Sequence, residues 1–159
     1  MGIETETLPT LRLAAIRHTG PYHEIGRTFG TLHRIVTAAG LPHRELVAVF
    51  HDDPQATPAE RLRADAGVIV DEGATLPDGV TESRIPAGRY MKALHAGSYE
   101  RLGDAWAQFK RDISAATGKP GPRGFTFELY RNTPMEVPQD QLRTELYMSI
   151  AEAGRHAAP

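Results

Sequence analysis

The chain has 159 residues, of which 40% are hydrophobic and 24% are charged, and its formal net charge is -2. This composition is typical of a globular domain that buries a sizeable core. The charge balance gives no indication of direct binding to nucleic acid, which needs a basic surface. There are no cysteines, and the seven histidines lack the spacing of a zinc-binding helix, so we predict neither a metal nor another cofactor.

The first ten residues, MGIETETLPT, contain acidic residues and no apolar stretch, which argues against a signal peptide. No segment approaches the roughly 18 uninterrupted apolar residues that a membrane-spanning helix needs. We therefore predict a cytoplasmic protein that does not bind a membrane.

A short phrase occurs twice in the chain. The sequence HTGPYHEIG at 18–26 returns as HAGSYERLG at 95–103, which is 77 positions later. Two further blocks, 49–70 and 129–150, match each other at an offset of 80 positions. We interpret these matches as an internal duplication, with a three-residue insertion between the helix and the next strand of the second copy.

The elements of the first copy can be taken in chain order. A strand at 11–18 leads into a helix over 21–39, in which apolar residues recur at steps of three and four. Gly40 suits the end of this helix because glycine accepts a left-handed conformation. Strands at 45–50 and 63–70 follow, joined by a loop that contains prolines.

The second copy repeats this order, with strands at 88–95, 125–130 and 143–150 and a helix over about 98–116. The pattern predicts an α+β fold of tandem strand-helix-strand-strand modules, in which two helices cover one face of antiparallel strands. We expect one domain at 8–152, made of repeat one (8–72), a linker (73–86) and repeat two (87–152), followed by a disordered tail (153–159).

Alternation along the strands assigns side chains to the two faces of the sheet. In the last strand it places Leu146 under the helix and Glu145 on the opposite face. In the strand at 45–50, we assign Val47 and the residues that alternate with it to the core. In the strand at 125–130, we assign Phe127 and the residues that alternate with it to the core. The side chains that this leaves on the face opposite the helices include Phe50, Asp65, Glu128, Tyr130, Glu145 and Tyr147.

Carboxylates interleaved with aromatic rings are suited to a flat organic cation, because ring faces attract cations and a carboxylate supplies the counter-charge. A second interpretation is equally open at this point. The same face could be solvated, with Arg63 and Arg143 paired to the neighbouring acids.

Several segments resemble the GyrI-like family, which contains bacterial DNA gyrase inhibitors and the effector-binding domains of multidrug-responsive transcription regulators. The matching segments are HTGPY, VAVFHDDPQATPAERLRADAGVIV, IPAGRYMKALHAGSYERLGDAW, FELYRNTP and TELYMSI. The resemblance extends from about residue 11 to residue 150. It implies two modules related by pseudo-twofold symmetry, a ligand cleft between them, and a free-standing protein that binds amphipathic or cationic drug-like molecules.

The resemblance also implies roles for particular residues. An acidic residue in the final strand contacts cationic ligands, and it maps onto Glu145. Aromatic cleft walls map onto Tyr147, Tyr130 and Phe50, Glu128 is a second acid, and Asp65 is the pseudo-symmetric partner of Glu145. The resemblance further implies that DNA gyrase is a partner and that the protein protects the cell from toxins. As an alternative, the family implies a hydrolase of reactive cyclopropane-bearing compounds, with Glu145 as the catalytic group.

Overall fold

The computed structural model describes residues 2–118 and 124–150, so the predicted tail lies outside the described residues. Within them the chain forms eight strands and two α-helices. In chain order these are β1 (Glu4–Leu8), β2 (Leu11–Thr19), α1 (Gly26–Ala39), β3 (Leu46–Phe50), β4 (Arg63–Val70), β5 (Thr81–Ile85), β6 (Gly88–Ala96), α2 (Leu102–Thr117), β7 (Thr126–Tyr130) and β8 (Arg143–Ser149). Neither helix is long and apolar enough to cross a membrane.

The chain divides into two compact units. Unit 1 comprises the described residues of Met1–Leu8 and Gly88–Pro159, and unit 2 comprises Pro9–Ala87. Unit 1 holds an antiparallel sheet in the order β1-β6-β8-β7 with helix α2. Unit 2 holds an antiparallel sheet in the order β5-β2-β4-β3 with helix α1.

Each helix packs its apolar stripe on one face of its own sheet, as the three-and-four spacing predicts. In unit 2, Leu32 and Val36 of α1 are buried against Ala14, Ala66 and Val68. In unit 1, the buried residues of α2 pack on β6 and β8; the cluster contains Ala93, Ala105, Phe109, Ile113, Leu146 and Met148. This arrangement leaves each sheet with a helix face and a helix-free face.

Both helices begin later than predicted, because a short 3-10 turn occupies the predicted first turn. The turns span Tyr22–Glu24 and Tyr99–Arg101. The predicted end of the first helix at Gly40 is confirmed, and the second helix ends in the same way at Gly118. The two glycines have left-handed φ angles of 62° and 71°, which glycine adopts without steric strain.

Two strands were not predicted, and they share an unusual connection. Strand β5 lies inside the segment 73–86 that we predicted as a linker. It precedes the second repeat but pairs with β2 of the first, with Ile85 opposite Leu11. Strand β1 precedes the first repeat but pairs with β6 of the second, with Leu8 opposite Gly88. Unit 1 therefore takes its edge strand β1 from the segment before the first predicted repeat, and unit 2 takes its edge strand β5 from the segment before the second.

The repeated phrase makes the same hydrogen bonds in both units. His18 Nε2 donates to the carbonyl of Pro21 at 3.0 Å, and His95 Nε2 donates to the carbonyl of Ser98 at 2.9 Å. The amide of the following glycine, Gly20 or Gly97, donates to the carbonyl of Leu62 or Leu142. The two histidines thus bridge the corner between strand and helix in each unit.

Candidate functional site

Strand register decides which side chains share a face, and in unit 1 it corrects the sequence prediction. Strand β7 pairs with β8 so that Glu128 lies opposite Leu146 and Phe127 lies opposite Tyr147. Because Leu146 packs under α2, Glu128 and Tyr130 lie on the helix face. Their predicted position beside Glu145 was wrong. Both faces of β7 are buried, with Phe127 0% and Glu128 5% exposed, so hydrophobicity could not identify the inward set.

The same correction applies to Phe50 in unit 2. Strand β3 pairs with β4 so that Phe50 lies opposite Ala64, and Val49 lies opposite Asp65. Phe50 therefore belongs to the helix face, where its ring lies 4.8 Å from that of Tyr22. Its predicted position on the face of Asp65 was wrong, for the same reason as in β7.

Glu128 is the centre of a buried polar cluster beneath α2. The indole Nε1 of Trp106 donates to Glu128 Oε2 at 2.7 Å, and the hydroxyl of Tyr130 donates to Oε1. The ring of Tyr99 lies 5.6 Å from that of Tyr130. Burial raises the pKa of Glu128, and the two hydrogen bonds offset this effect in part. Among the described residues, no ion pair includes Glu128.

The cluster has no polar counterpart in unit 2. Position by position, Trp106, Glu128, Tyr130 and Thr144 of unit 1 correspond to Phe29, Ala48, Phe50 and Ala64 of unit 2. Thr144 is completely buried, and its hydroxyl has no hydrogen-bond partner among the described residues. Apolar residues fill the same place in unit 2, so a stable fold does not require these polar groups.

Glu145 lies on the helix-free face of unit 1, as alternation predicts, and it is 6% exposed. Its Oε2 accepts hydrogen bonds from Arg131, with Nε at 3.0 Å, and from Lys92 Nζ at 3.4 Å. Its Oε1 accepts from the Tyr147 hydroxyl at 3.1 Å. The ring of Tyr147 stacks on Phe127 at a centroid distance of 4.5 Å. The carboxylate therefore has two cationic partners already.

A cavity of about 340 Å³ adjoins this carboxylate, lined by Glu4, Lys92, Leu94, Arg131 and Glu145 among others. Sequence reasoning missed Lys92 and Arg131. Alternation along β6 could have placed Lys92, since it lies opposite Tyr147. Arg131 follows the last residue of β7, where alternation no longer applies.

Asp65 occupies the equivalent place in unit 2, and it too is paired. Its carboxylate accepts from Arg17 Nε at 2.7 Å and His51 Nε2 at 2.8 Å. Burial acts to raise the pKa of Asp65, but the hydrogen bonds from His51 and Arg17 outweigh it, and the pKa is lowered. Among the described residues, no three His, Asp or Glu side chains are grouped so as to hold a metal ion.

The chain belongs to the GyrI-like family: the family described as "GyrI-like small molecule binding domain" matches residues 1–151. A DNA gyrase inhibitor of Escherichia coli (strain K12) is 32% identical over 131 residues, which cover 78% of this chain and 82% of that protein. The resemblance found in the sequence is thereby confirmed.

Solved structures confirm the fold class. The C-terminal domain of EcmrR superposes with a TM-score of 0.77 at 14% identity, and the match covers 96% of this chain and 98% of that domain. SAV2435 bound to tetraphenylphosphonium superposes with a TM-score of 0.63 at 13% identity, and the match covers 93% of each chain.

Proposed function

We propose that unit 1 binds an amphipathic organic cation and that Glu128 supplies the counter-charge. The observation that carries this proposal is a buried carboxylate that contacts aromatic side chains and has no cationic partner among the described residues. A buried charge without a partner is unfavourable, so a cation that pairs with it gains more than it would at a solvated acid. Aromatic faces add about 0.5–2 kcal/mol for each cation–π contact.

Glu145, the acid that the sequence prediction favours, is less suited to this role. A cationic ligand would have to compete with Arg131 and Lys92 for the same oxygen. Asp65 is likewise held by Arg17 and His51. Of the three candidate acids, Glu128 alone lies among rings without an ion pair in the described part of the chain. The ligand-bound neighbour SAV2435, which holds the cation tetraphenylphosphonium, supports the proposed ligand class.

Access to Glu128 involves helix α2. The carboxylate is 5% exposed, and Trp106, near the beginning of α2, covers it with its indole N–H. A ligand that reaches the carboxylate comes close to the indole of Trp106, which donates to it. Binding is therefore coupled to a change in the environment of Trp106, which is the chain's single tryptophan.

Titration with tetraphenylphosphonium is expected to change the fluorescence of Trp106 in a saturable manner. Glu128→Gln keeps the shape of the side chain but removes its charge, so we expect its affinity to fall at least tenfold, as for loss of one desolvated charge contact. Glu145→Gln is the matched control and should change the affinity less than threefold. A loss confined to Glu145→Gln would contradict the proposal and return the site to the helix-free face.

The hydrolase alternative is less well supported. It needs a Glu145 oxygen that can bind and activate water. Both oxygens of Glu145 accept hydrogen bonds from protein side chains, Oε2 from Arg131 and Oε1 from Tyr147. Pairing of Oε2 with two cationic side chains, Arg131 and Lys92, favours a structural carboxylate over a general base.

A second proposed function is modulation of DNA gyrase, favoured by relatives that are named DNA gyrase inhibitors. Purified protein is expected to reduce gyrase-catalysed supercoiling of a relaxed plasmid in proportion to its concentration. An acidic protein of similar size and net charge serves as the control. Unchanged supercoiling at a tenfold molar excess over gyrase would contradict this function and leave the cation site unaffected.

A further inference from the structure

The cavity beside Glu145 has polar groups that the fold does not use. Arg131 donates to Glu145 through Nε and Nη2, and its Nη1 has no partner among the described residues. The side chain of Arg131 is 55% exposed. One edge of the guanidinium therefore remains available to an anionic group that enters the cavity.

The opposite charge is available in the same cavity. Glu4 lines it with a side chain that is 73% exposed, and its nearest cationic partner is Lys92 Nζ at 3.9 Å. Glu145 is the first cause of the raised pKa of Arg131, and the charge of Glu4 also contributes, which places Glu4 within electrostatic range of the guanidinium. Leu94 adds an apolar wall that is 42% exposed.

A ligand with a single charge fits this arrangement poorly. A simple anion that meets Arg131 also meets Glu4 and Glu145, and a simple cation that meets Glu4 also meets Lys92 and Arg131. Unfavourable like-charge contacts offset part of the gain in either case. A molecule with both charges can contact the open edge of Arg131 with its anionic group and the exposed carboxylate of Glu4 with its cationic group.

We propose that this cavity binds a small zwitterion, whose carboxylate contacts Arg131, whose ammonium contacts Glu4 and whose apolar part packs on Leu94. The site goes beyond the cation site proposed above, because Glu145 and Glu128 lie on opposite faces of the sheet. The two sites therefore take different classes of ligand through different residues.

Three probes with the same number of carbon atoms test the charge requirement: 6-aminohexanoate, hexanoate and hexylamine. Each is titrated into the full chain while backbone amide shifts are followed by NMR. The flexible zwitterion can adjust the separation of its charges to the site, so we expect it to bind at least tenfold more tightly than either singly charged analogue. Equal affinities for the three probes, or no shift with 6-aminohexanoate, would overturn the proposal.

Variants assign each charge to its partner. Arg131→Gln is expected to weaken 6-aminohexanoate at least tenfold without weakening hexylamine, and Glu4→Gln is expected to weaken 6-aminohexanoate without weakening hexanoate. Arg111→Gln and Glu60→Gln, at exposed positions outside the cavity, are the matched controls. If Arg131→Gln fails to fold, Arg131→Lys and the exposed Glu4 variant decide the question. Unchanged zwitterion affinity in both Arg131→Lys and Glu4→Gln would refute the assignment.

Discussion

Replacement of Glu128 by glutamine is expected to stabilise the protein at neutral pH while it removes the proposed cation site. Glutamine has nearly the same shape, can accept one hydrogen bond through its oxygen, and has no charge to desolvate. We expect the free energy of unfolding to rise by about 1–2 kcal/mol, the usual gain when a site kept for function is optimised for stability. The apolar residues at the equivalent places in unit 2, Ala48 and Phe50, indicate that the fold tolerates this loss of polarity.

The pH dependence of this gain has a definite sign. Burial raises the pKa of Glu128 above its ordinary value of 4.5. Below that value the carboxyl is protonated in both the folded and the unfolded chain, so its ionisation does not change the free energy of unfolding. As the pH rises, the unfolded chain releases this proton first, so wild-type stability falls until the pH passes the raised pKa of the folded state. The advantage of Glu128→Gln should therefore grow with pH across this window.

Urea denaturation of both proteins between pH 4 and pH 8 measures the effect. Glu145→Gln is the informative comparison, because it leaves Arg131 and Lys92 without their shared partner and should lower stability at neutral pH. If Glu128→Gln is the less stable protein at every pH, then the hydrogen bonds from Trp106 and Tyr130 make Glu128 a structural residue. A difference that does not vary with pH would show that desolvation of its charge is not the cause.

The sequence predicts those features of the fold that depend on a single physical property of the local residues. Helix stripes such as Leu32 and Val36 are fixed by the helical period, and glycine ends both helices because a left-handed φ is needed there. The repeated phrase identifies His18 and His95 as equivalent positions from the sequence alone. Glu145 was placed on the correct face because Leu146 and Met148 beside it are strongly apolar.

The prediction failed where two arrangements satisfy the same pattern. In β7, the alternate positions occupied by Phe127 and by Glu128 are both buried, so the choice rests on hydrogen-bond register that local sequence does not encode. The exchange of β1 and β5 was missed because neither segment was predicted as a strand: both are short and largely polar, and β5 lies in a segment whose composition is typical of a linker. The pairing of such strands depends on contacts between distant segments of the chain, which composition and periodicity do not report.

Removal of both cations that hold Glu145 is expected to cause the largest loss of stability. Lys92→Met with Arg131→Met leaves a carboxylate that is 6% exposed without a counter-charge. An uncompensated buried charge of this kind destabilises a protein by about 3–5 kcal/mol. Arg131→Met alone should lower the stability less. Lys92 remains at 3.4 Å, and water already weakens the ion pair of the half-exposed guanidinium.

A third substitution separates charge from packing. If the loss comes from the unpaired carboxylate, addition of Glu145→Met should restore most of the stability, because a buried ion pair can be replaced by apolar side chains at little net change. If it comes instead from lost packing, such as that of Lys92 over the Tyr147 ring at 5.8 Å, the triple variant should remain as unstable as the double. Arg84→Met, which breaks the exposed pair with Glu72, should change the urea midpoint far less. Restoration in the triple variant would mean that the unpaired buried charge of Glu145, and not lost packing of Lys92 or Arg131, causes the instability of the double variant.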